Sequence, residues 1–198
     1  MSEEFYRTDL KENAIDDLEK LSTFLELASR DKSYWKWVII ALHSSLYKFM
    51  LLVLKNPDCS GIWEEKDGVE KVKKEKVGLV WKIKLFDPDN WLVSFLKAFE
   101  RIQNQTRVGR YVPGKPFVSD AKVNEAMKRL NTELRNQFLH FKPKSWLIEI
   151  SEIKKIIQTT LPIIRFIIFK NRIRILIEEK EQLAINNMLK KIILRSRL

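Results

Sequence analysis

The sequence is short of the residues that staple, break or metallate a chain. Cys59 is its single cysteine, which excludes an internal disulfide and a Cys-based zinc site and leads us to expect a reducing, cytoplasmic setting. Five Gly and six Pro among 198 residues leave few turn signals, so the elements should be long, which favours helices. The two histidines, His43 and His140, show no metal-ligand spacing, and neither a metal nor a cofactor is expected. The start, Met1-Ser2-Glu3-Glu4, lacks the basic and apolar pattern of a signal peptide. The most apolar stretches, 37–54 and 163–169, are interrupted by His43, Lys48 and Arg165, so no membrane span is expected. There is no internal repeat and no low-complexity segment.

What the chain does have is positive charge. It carries 37 Lys and Arg against 26 acidic residues, a net charge of +11, and a surplus of that size attracts polyanions such as RNA. A basic surface also serves solubility alone, and the lysine-rich run at 69–77 reads more readily as a solvated face than as a binding site. With 45% hydrophobic residues, the composition is that of a folded protein, and 1–198 is expected to form one domain.

Apolar periodicity predicts six helices. The first runs from Phe5 to about Arg30 on Leu10, Ala14, Leu18, Leu21, Leu25 and Leu27. The second, about 34–55 and capped by Asp31 or Ser33, is apolar nearly all round and must be covered on most sides, by its own bundle or a second subunit. Residues 56–87 read as an irregular insertion or loop region, in which Asp67-Gly68 suits a hairpin turn and 81–85 alternates like a strand, while a short helix fits it too. A third helix is expected over 88–104, with Trp91, Phe95, Leu96, Phe99 and Ile102 inward. The fourth runs from Ser119 or Asp120 to about His140. The fifth spans 146–170, is capped by Ser145, and should kink or split at Pro162. The sixth, about 172–196, carries Ile173, Ile175, Leu176, Leu183, Ile185, Leu189, Ile192 and Ile193. The sum is an all-α bundle.

The most chemically loaded stretch closes the fourth helix: Arg135-Asn136-Gln137-Phe138-Leu139-His140, just before Pro143. A guanidinium offers a planar fork of donors to phosphate, and an imidazole exchanges protons near neutral pH. On a straight helix Val123, Met127, Leu130, Leu134, Phe138 and Phe141 form the core stripe, while Arg129, Glu133, Asn136 and His140 share the outward side. Asn136 and His140 are neighbours at four residues' separation. Arg135 lies elsewhere on the wheel. It would join them if the helix unwinds before Pro143, if its long side chain curls around, or if a two-fold partner brings up a second copy. Leu139, on the otherwise polar side, suits a dimer contact. His43 reads as a core or interface histidine bonded to Tyr47 or a backbone carbonyl, with a supporting role near the groove as the alternative.

The longer run from Leu134 through His140 to Trp146 resembles the HEPN superfamily (higher eukaryotes and prokaryotes nucleotide-binding). Within it, the run is similar to a plasmid-type bacterial subfamily. The superfamily's mark is Arg, four to six residues, then His, often with a polar residue after the Arg, and it falls here on Arg135, Asn136 and His140. Ala41-Leu42-His43-Ser44 and the loop Gly114-Lys115-Pro116 extend the resemblance. It implies a bundle of about five to six helices that forms a homodimer across the motif. It also implies metal-independent RNA cleavage by Arg135, Asn136 and His140, in the service of a toxin or phage-defence role. An antitoxin such as a nucleotidyltransferase is an implied partner. Other members of the superfamily only bind nucleic acid or regulate.

Overall fold

A computed structural model describes residues 8–56, 60–64, 74–77, 80–83, 91–108, 114–139, 147–171 and 176–197, with 60, 74–77 and 80–83 described through the backbone alone. The fold class is all-α, as expected, with one short hairpin set into it. Helix α1 (Leu10–Ala28) starts at a reciprocal cap. The Asp9 carboxylate accepts from the Glu12 amide (2.8 Å), and the Glu12 carboxylate accepts from the Asp9 amide (3.1 Å). Its stripe of Ala14, Leu18, Leu21, Leu25 and Ala28 is buried. Phe5 lies outside the described residues.

Helix α2 (Trp35–Leu54) follows a single 3₁₀ turn at Lys32–Tyr34, whose amide at Ser33 bonds the Asp31 carboxylate (2.8 Å). It is the centre of the bundle, packed along α1 and also against α3, α7 and the turn that carries Arg135. Val38, Ile39, Leu42, Leu46, Phe49, Met50, Val53 and Leu54 form one broad buried face, and Ala41 and Leu51 are buried on other sides of the helix. The bundle itself therefore supplies the covering that an all-round apolar helix needs. Residues Lys32–Leu54 are long and apolar enough to cross a membrane (mean hydropathy 1.8 in the best window), and 67% of that window is buried inside the protein. Two polar links fix α2 on α1: Ser45 Oγ donates to the Ala14 carbonyl (3.2 Å), and Lys48 pairs with Asp17 (2.6 Å).

In the insertion, β1 (Lys74–Val77) and β2 (Val80–Ile83) pair antiparallel, with Lys74 opposite Ile83 and Val77 opposite Val80. The strand expected at 81–85 is therefore present but begins at Val80, and Asp67-Gly68 lies outside the described residues. Residues 91–94 correct the sequence reading. Of the helix expected over 88–104, the described residues form only α3 (Phe95–Arg101); the stretch before it is extended, and a separate short helix, α4 (Gln105–Val108), follows it. It pairs with 62–64: the Val93 amide donates to the Ile62 carbonyl (2.9 Å) and the Glu64 amide to the Trp91 carbonyl (2.8 Å). Trp91, expected inward, is 76% exposed as a result, whereas Phe95, Phe99 and Ile102 are buried as expected. The buried Arg101 locks the same junction by donating to the carbonyls of Gly61 (2.9 Å) and Trp63 (2.8 Å). Gly61 is obligatory there, since a Cβ would come within 1.9 Å of the Leu54 carbonyl oxygen.

Asp120, rather than Ser119, caps α5 (Ala121–Arg129) by accepting from the Val123 amide (2.8 Å). The chain continues through a π-helical turn (Leu130–Arg135) into α6 (Asn136–Leu139). Helix α7 (Ile150–Lys170) begins after 147–149, four residues later than the expected start, and the expected cap Ser145 lies outside the described residues. Pro162 neither splits nor ends α7. It sits on the exposed side of the helix, where water can take the carbonyl that a proline leaves without a donor. Helix α8 (Glu179–Arg195) starts later than expected, at a reciprocal cap between Glu178 and Glu181. Ile185, Leu189 and Ile192 are buried and Ile177 tucks in before the cap. Leu176 and Leu183, expected inward, are exposed. Arg195 ties α8 to α1 through the Ser22 carbonyl (2.7 Å) and Glu26 (2.5 Å), and Lys11 reaches Glu181 (3.0 Å). The buried side chains of all these helices form one continuous core.

Candidate functional site

The segment that carries the motif is where the backbone departs from an α-helix. Across Leu130–Arg135 the hydrogen bonds step from i to i+5, which places more residues in the turn than an α-helix holds and changes the direction of every side chain after it. Thr132 contributes to the departure: its hydroxyl donates to the Lys128 carbonyl (2.8 Å), a back-bond that bends helices. Leu130 and Leu134 stay in the core, so the turn is pinned from one side while its other residues are redirected.

The consequence corrects the straight-helix reading. Arg135 and Asn136, assigned by the wheel to different faces, lie together, with Arg135 Nη1 donating to Asn136 Oδ1 (2.9 Å). Both line a cleft of about 530 Å³ against α2, together with Asn131 and Leu139 from their own segment. This contact joins Arg135 to Asn136 alone, and the routes expected to bring Arg135 to His140 involve a residue outside the described ones. Leu139 is 48% exposed at the rim. His140 lies outside the described residues. A second, smaller pocket of about 190 Å³ is lined by Lys97, Glu100, Arg101, Asn104 and Arg107.

The opposite wall of the cleft comes from α2, which presents His43, Ser44 and Tyr47, and from Ser94 and Phe95 at the start of α3. His43 is buried, and its ring stacks on Phe95 at 4.1 Å between centroids with 19° between planes. Its Nε2 is bonded to Asn131 Oδ1 (3.0 Å), not to Tyr47 or a backbone carbonyl. An amide oxygen facing Nε2 requires the proton on that nitrogen, which leaves the lone pair on Nδ1. Burial pushes the His43 pKa down to about 4 and the nearby Arg135 cation pushes the same way, while the Asn131 bond opposes them. The ring is therefore neutral at pH 7. Tyr47 gives its hydroxyl proton to the Val93 carbonyl (2.5 Å). Burial raises its pKa, helped by Glu64 and opposed by Arg135, so it stays a phenol.

Arg135 is the charged group of this cleft, and it is poorly provided for. Among the described residues its only hydrogen bond is the one to Asn136, and its buried Nε has no acceptor. Arg129, six residues earlier, has a carboxylate partner in Glu152 (2.6 Å) and lies 3.2 Å from Glu133, although its Nε, like that of Arg135, makes no hydrogen bond. A buried donor without an acceptor costs about 1–3 kcal/mol, and the guanidinium is the one charged side chain among the residues that line the cleft. Among the described residues no group of three or more His, Cys, Asp and Glu gathers as for a metal ion.

Asn131, Tyr47 and Phe95 were not singled out by sequence. Asn131 had a signal, since it stands four residues before Arg135 and hence on a neighbouring part of the helix. The Gly114-Lys115-Pro116 loop is not part of the cleft. Asn171 donates to the Lys115 carbonyl (2.8 Å) and Gln105 to that of Gly114 (3.0 Å), and a Cβ at Gly114 would press on Val108 at 2.9 Å. Its role is to dock the loop between α4 and the end of α7. The chain matches no protein-family model, no curated protein and no solved structure.

Proposed function

We propose that this protein is a metal-independent endoribonuclease of HEPN type, working in the cytoplasm as a homodimer whose facing motifs build a composite site. The observation that carries the reading is the Arg135 guanidinium, set in a polar cleft with a buried Nε that has no acceptor. A net charge of +11 adds attraction for a polyanion. In the proposed reaction the RNA 2′-hydroxyl attacks the adjacent phosphate. Arg135 stabilises the charge that grows on the phosphorane oxygens, and Asn136 orients His140 or the phosphate. His140 acts as general base or acid, a contribution of about 10²–10⁴-fold. The products are a 2′,3′-cyclic phosphate and a 5′-hydroxyl. A role as a toxin or phage-defence effector, restrained by an antitoxin such as a nucleotidyltransferase, follows from the same reading.

Purified protein should cut RNA in EDTA and leave those two ends, and His140→Ala should abolish the cutting. Cleavage that survives the substitution sinks the assignment. The charge alone also favours a non-catalytic nucleic-acid-binding or regulatory protein, which would bind RNA with a steep salt dependence and create no new ends.

A further inference from the structure

We infer that His43 is a positioning residue: through its bond to Asn131 it straps the π turn to α2, and the strapped turn holds the Arg135 guanidinium in the cleft for a phosphate of RNA. The inference rests on the ribonuclease reading and deepens it by naming what aims the phosphate-binding group. Arg135 has little of its own to fix its place. Among the described residues its only hydrogen bond is to its neighbour Asn136, and no carboxylate pairs with it. Where the guanidinium stands is therefore decided by the backbone that carries it. That backbone is a π turn, a rare form that occurs frequently at functional sites. An α-helical path through the same six residues would rotate everything after them by about 100°, the angle of one residue. Arg135 and Asn136 would then leave the wall of the cleft.

Two kinds of anchor keep the turn as it is. Leu130 and Leu134, at its start and near its end, are buried in the core. They leave the cleft side of the turn to Asn131, whose Oδ1 accepts from His43 Nε2 at 3.0 Å. Among the described residues this is the only side-chain hydrogen bond between the turn and α2. Its donor end is rigid. The His43 ring is buried and stacked on Phe95 at 4.1 Å, and α2 is itself tied to α1 by Ser45 and Lys48. A strap that ends on the central helix gives the turn a fixed reference inside the cleft it serves. The imidazole is uncharged at neutral pH, so replacing His43 or Asn131 by a neutral residue alters no charge in the cleft. An effect of such a change on the count of phosphate contacts reports on Arg135, the one charged side chain among the lining residues.

The test measures binding of the full-length protein to a single-stranded 2′-fluoro RNA, which lacks the attacking hydroxyl, over a series of salt concentrations. Each phosphate contact contributes about 0.7 to the slope of log K against log salt on a single strand. Arg135→Ala should lower the slope by about 0.7 and the affinity by about tenfold. His43→Leu and Asn131→Leu remove the strap and no charge, yet each should lower the slope by the same amount. His43→Gln keeps a donor for the Asn131 amide and should bind as the unaltered protein does. Arg135→Ala combined with Asn131→Leu should bind no more weakly than Arg135→Ala alone. A purely structural role would reduce the folded fraction of the variants and leave the slope in place. Where His43→Leu fails to fold, Asn131→Leu at the half-buried end of the strap decides. The inference is overturned if the leucine variants keep the slope of the unaltered protein, if His43→Gln loses it, or if the losses add in the double variant. If the unaltered protein does not bind RNA, or Arg135→Ala binds as tightly as it does, the ribonuclease reading falls and takes this one with it.

Discussion

Acidification from pH 7.5 to 4.5 asks the folded chain to accept a proton on His43, where 7% of the residue reaches solvent. Burial is the main cause of the depressed pKa of about 4, with Arg135 adding to it. The unfolded chain titrates near 6.5. The folded state therefore binds fewer protons than the unfolded one between those values, and stability falls as the pH falls through them. The stability associated with neutral His43 is fully present above about 6.5 and shrinks by about 1.4 kcal/mol per pH unit below it. By pH 4.5 the loss is about 2–3 kcal/mol, a large share of the margin of an ordinary domain. Urea unfolding of the unaltered protein and of His43→Gln at pH 7.5 and 4.5 measures it. Carboxylates also titrate in this window but do so equally in both proteins, and the difference of differences isolates His43. The unaltered protein should lose about 2–3 kcal/mol more than the variant on acidification. Parallel losses in the two proteins would show that the imidazole is not held neutral by its surroundings, and the account of the cleft would fail with it. With two histidines in the chain, an NMR titration should show one imidazole changing near pH 4.

Two further expectations concern stability. Arg135→Met removes a guanidinium whose buried Nε lacks an acceptor, so the variant should unfold at higher urea, by about 1–2 kcal/mol, while RNA cleavage is lost; a destabilised variant would mean that the cation is satisfied in solution. Pro162→Ala restores a backbone donor in the middle of α7 and should stabilise by about 1–3 kcal/mol in thermal unfolding; a loss of stability would show that α7 depends on the proline's shape.

The helices were legible because their burial follows a period that the sequence displays. Leu18, Leu21 and Leu25 announce α1, and the apolar circumference of α2 announces a central helix with neighbours on most sides. The readings failed where tertiary bonds override local pattern. Trp91 fits the inner face of a helix through 88–104, yet its carbonyl accepts from the Glu64 amide and the stretch is extended, which turns the indole outward. No local rule announces a partner strand some thirty residues away. Leu183 likewise matches the period of α8, but among the described residues that helix meets the bundle mainly through α1 and α7, and the stripe is narrower than the leucines suggest. Pro162 was read by its usual effect, which an exposed position softens.

The site was legible in its residues and not in its geometry. Arg135 and Asn136 stand out by chemistry, but a wheel drawn at a constant angle per residue separates them, and any such drawing assumes the helix it is meant to test. The π turn breaks that assumption within six residues. Its cause is partly visible afterwards in the Thr132 hydroxyl on the Lys128 carbonyl, a bond that many helical threonines make without such an effect. What holds the turn in place is long-range: Leu130 and Leu134 anchored in the core on one side, and Asn131 bonded to His43 on the other. The bond that fixes the His43 tautomer thus also braces the turn that aims Arg135. Asn131→Ala removes the brace and no charge. If the bond braces the turn, the variant should weaken RNA binding through a displaced Arg135. If the core leucines hold the turn by themselves, binding should stay at the level of the unaltered protein.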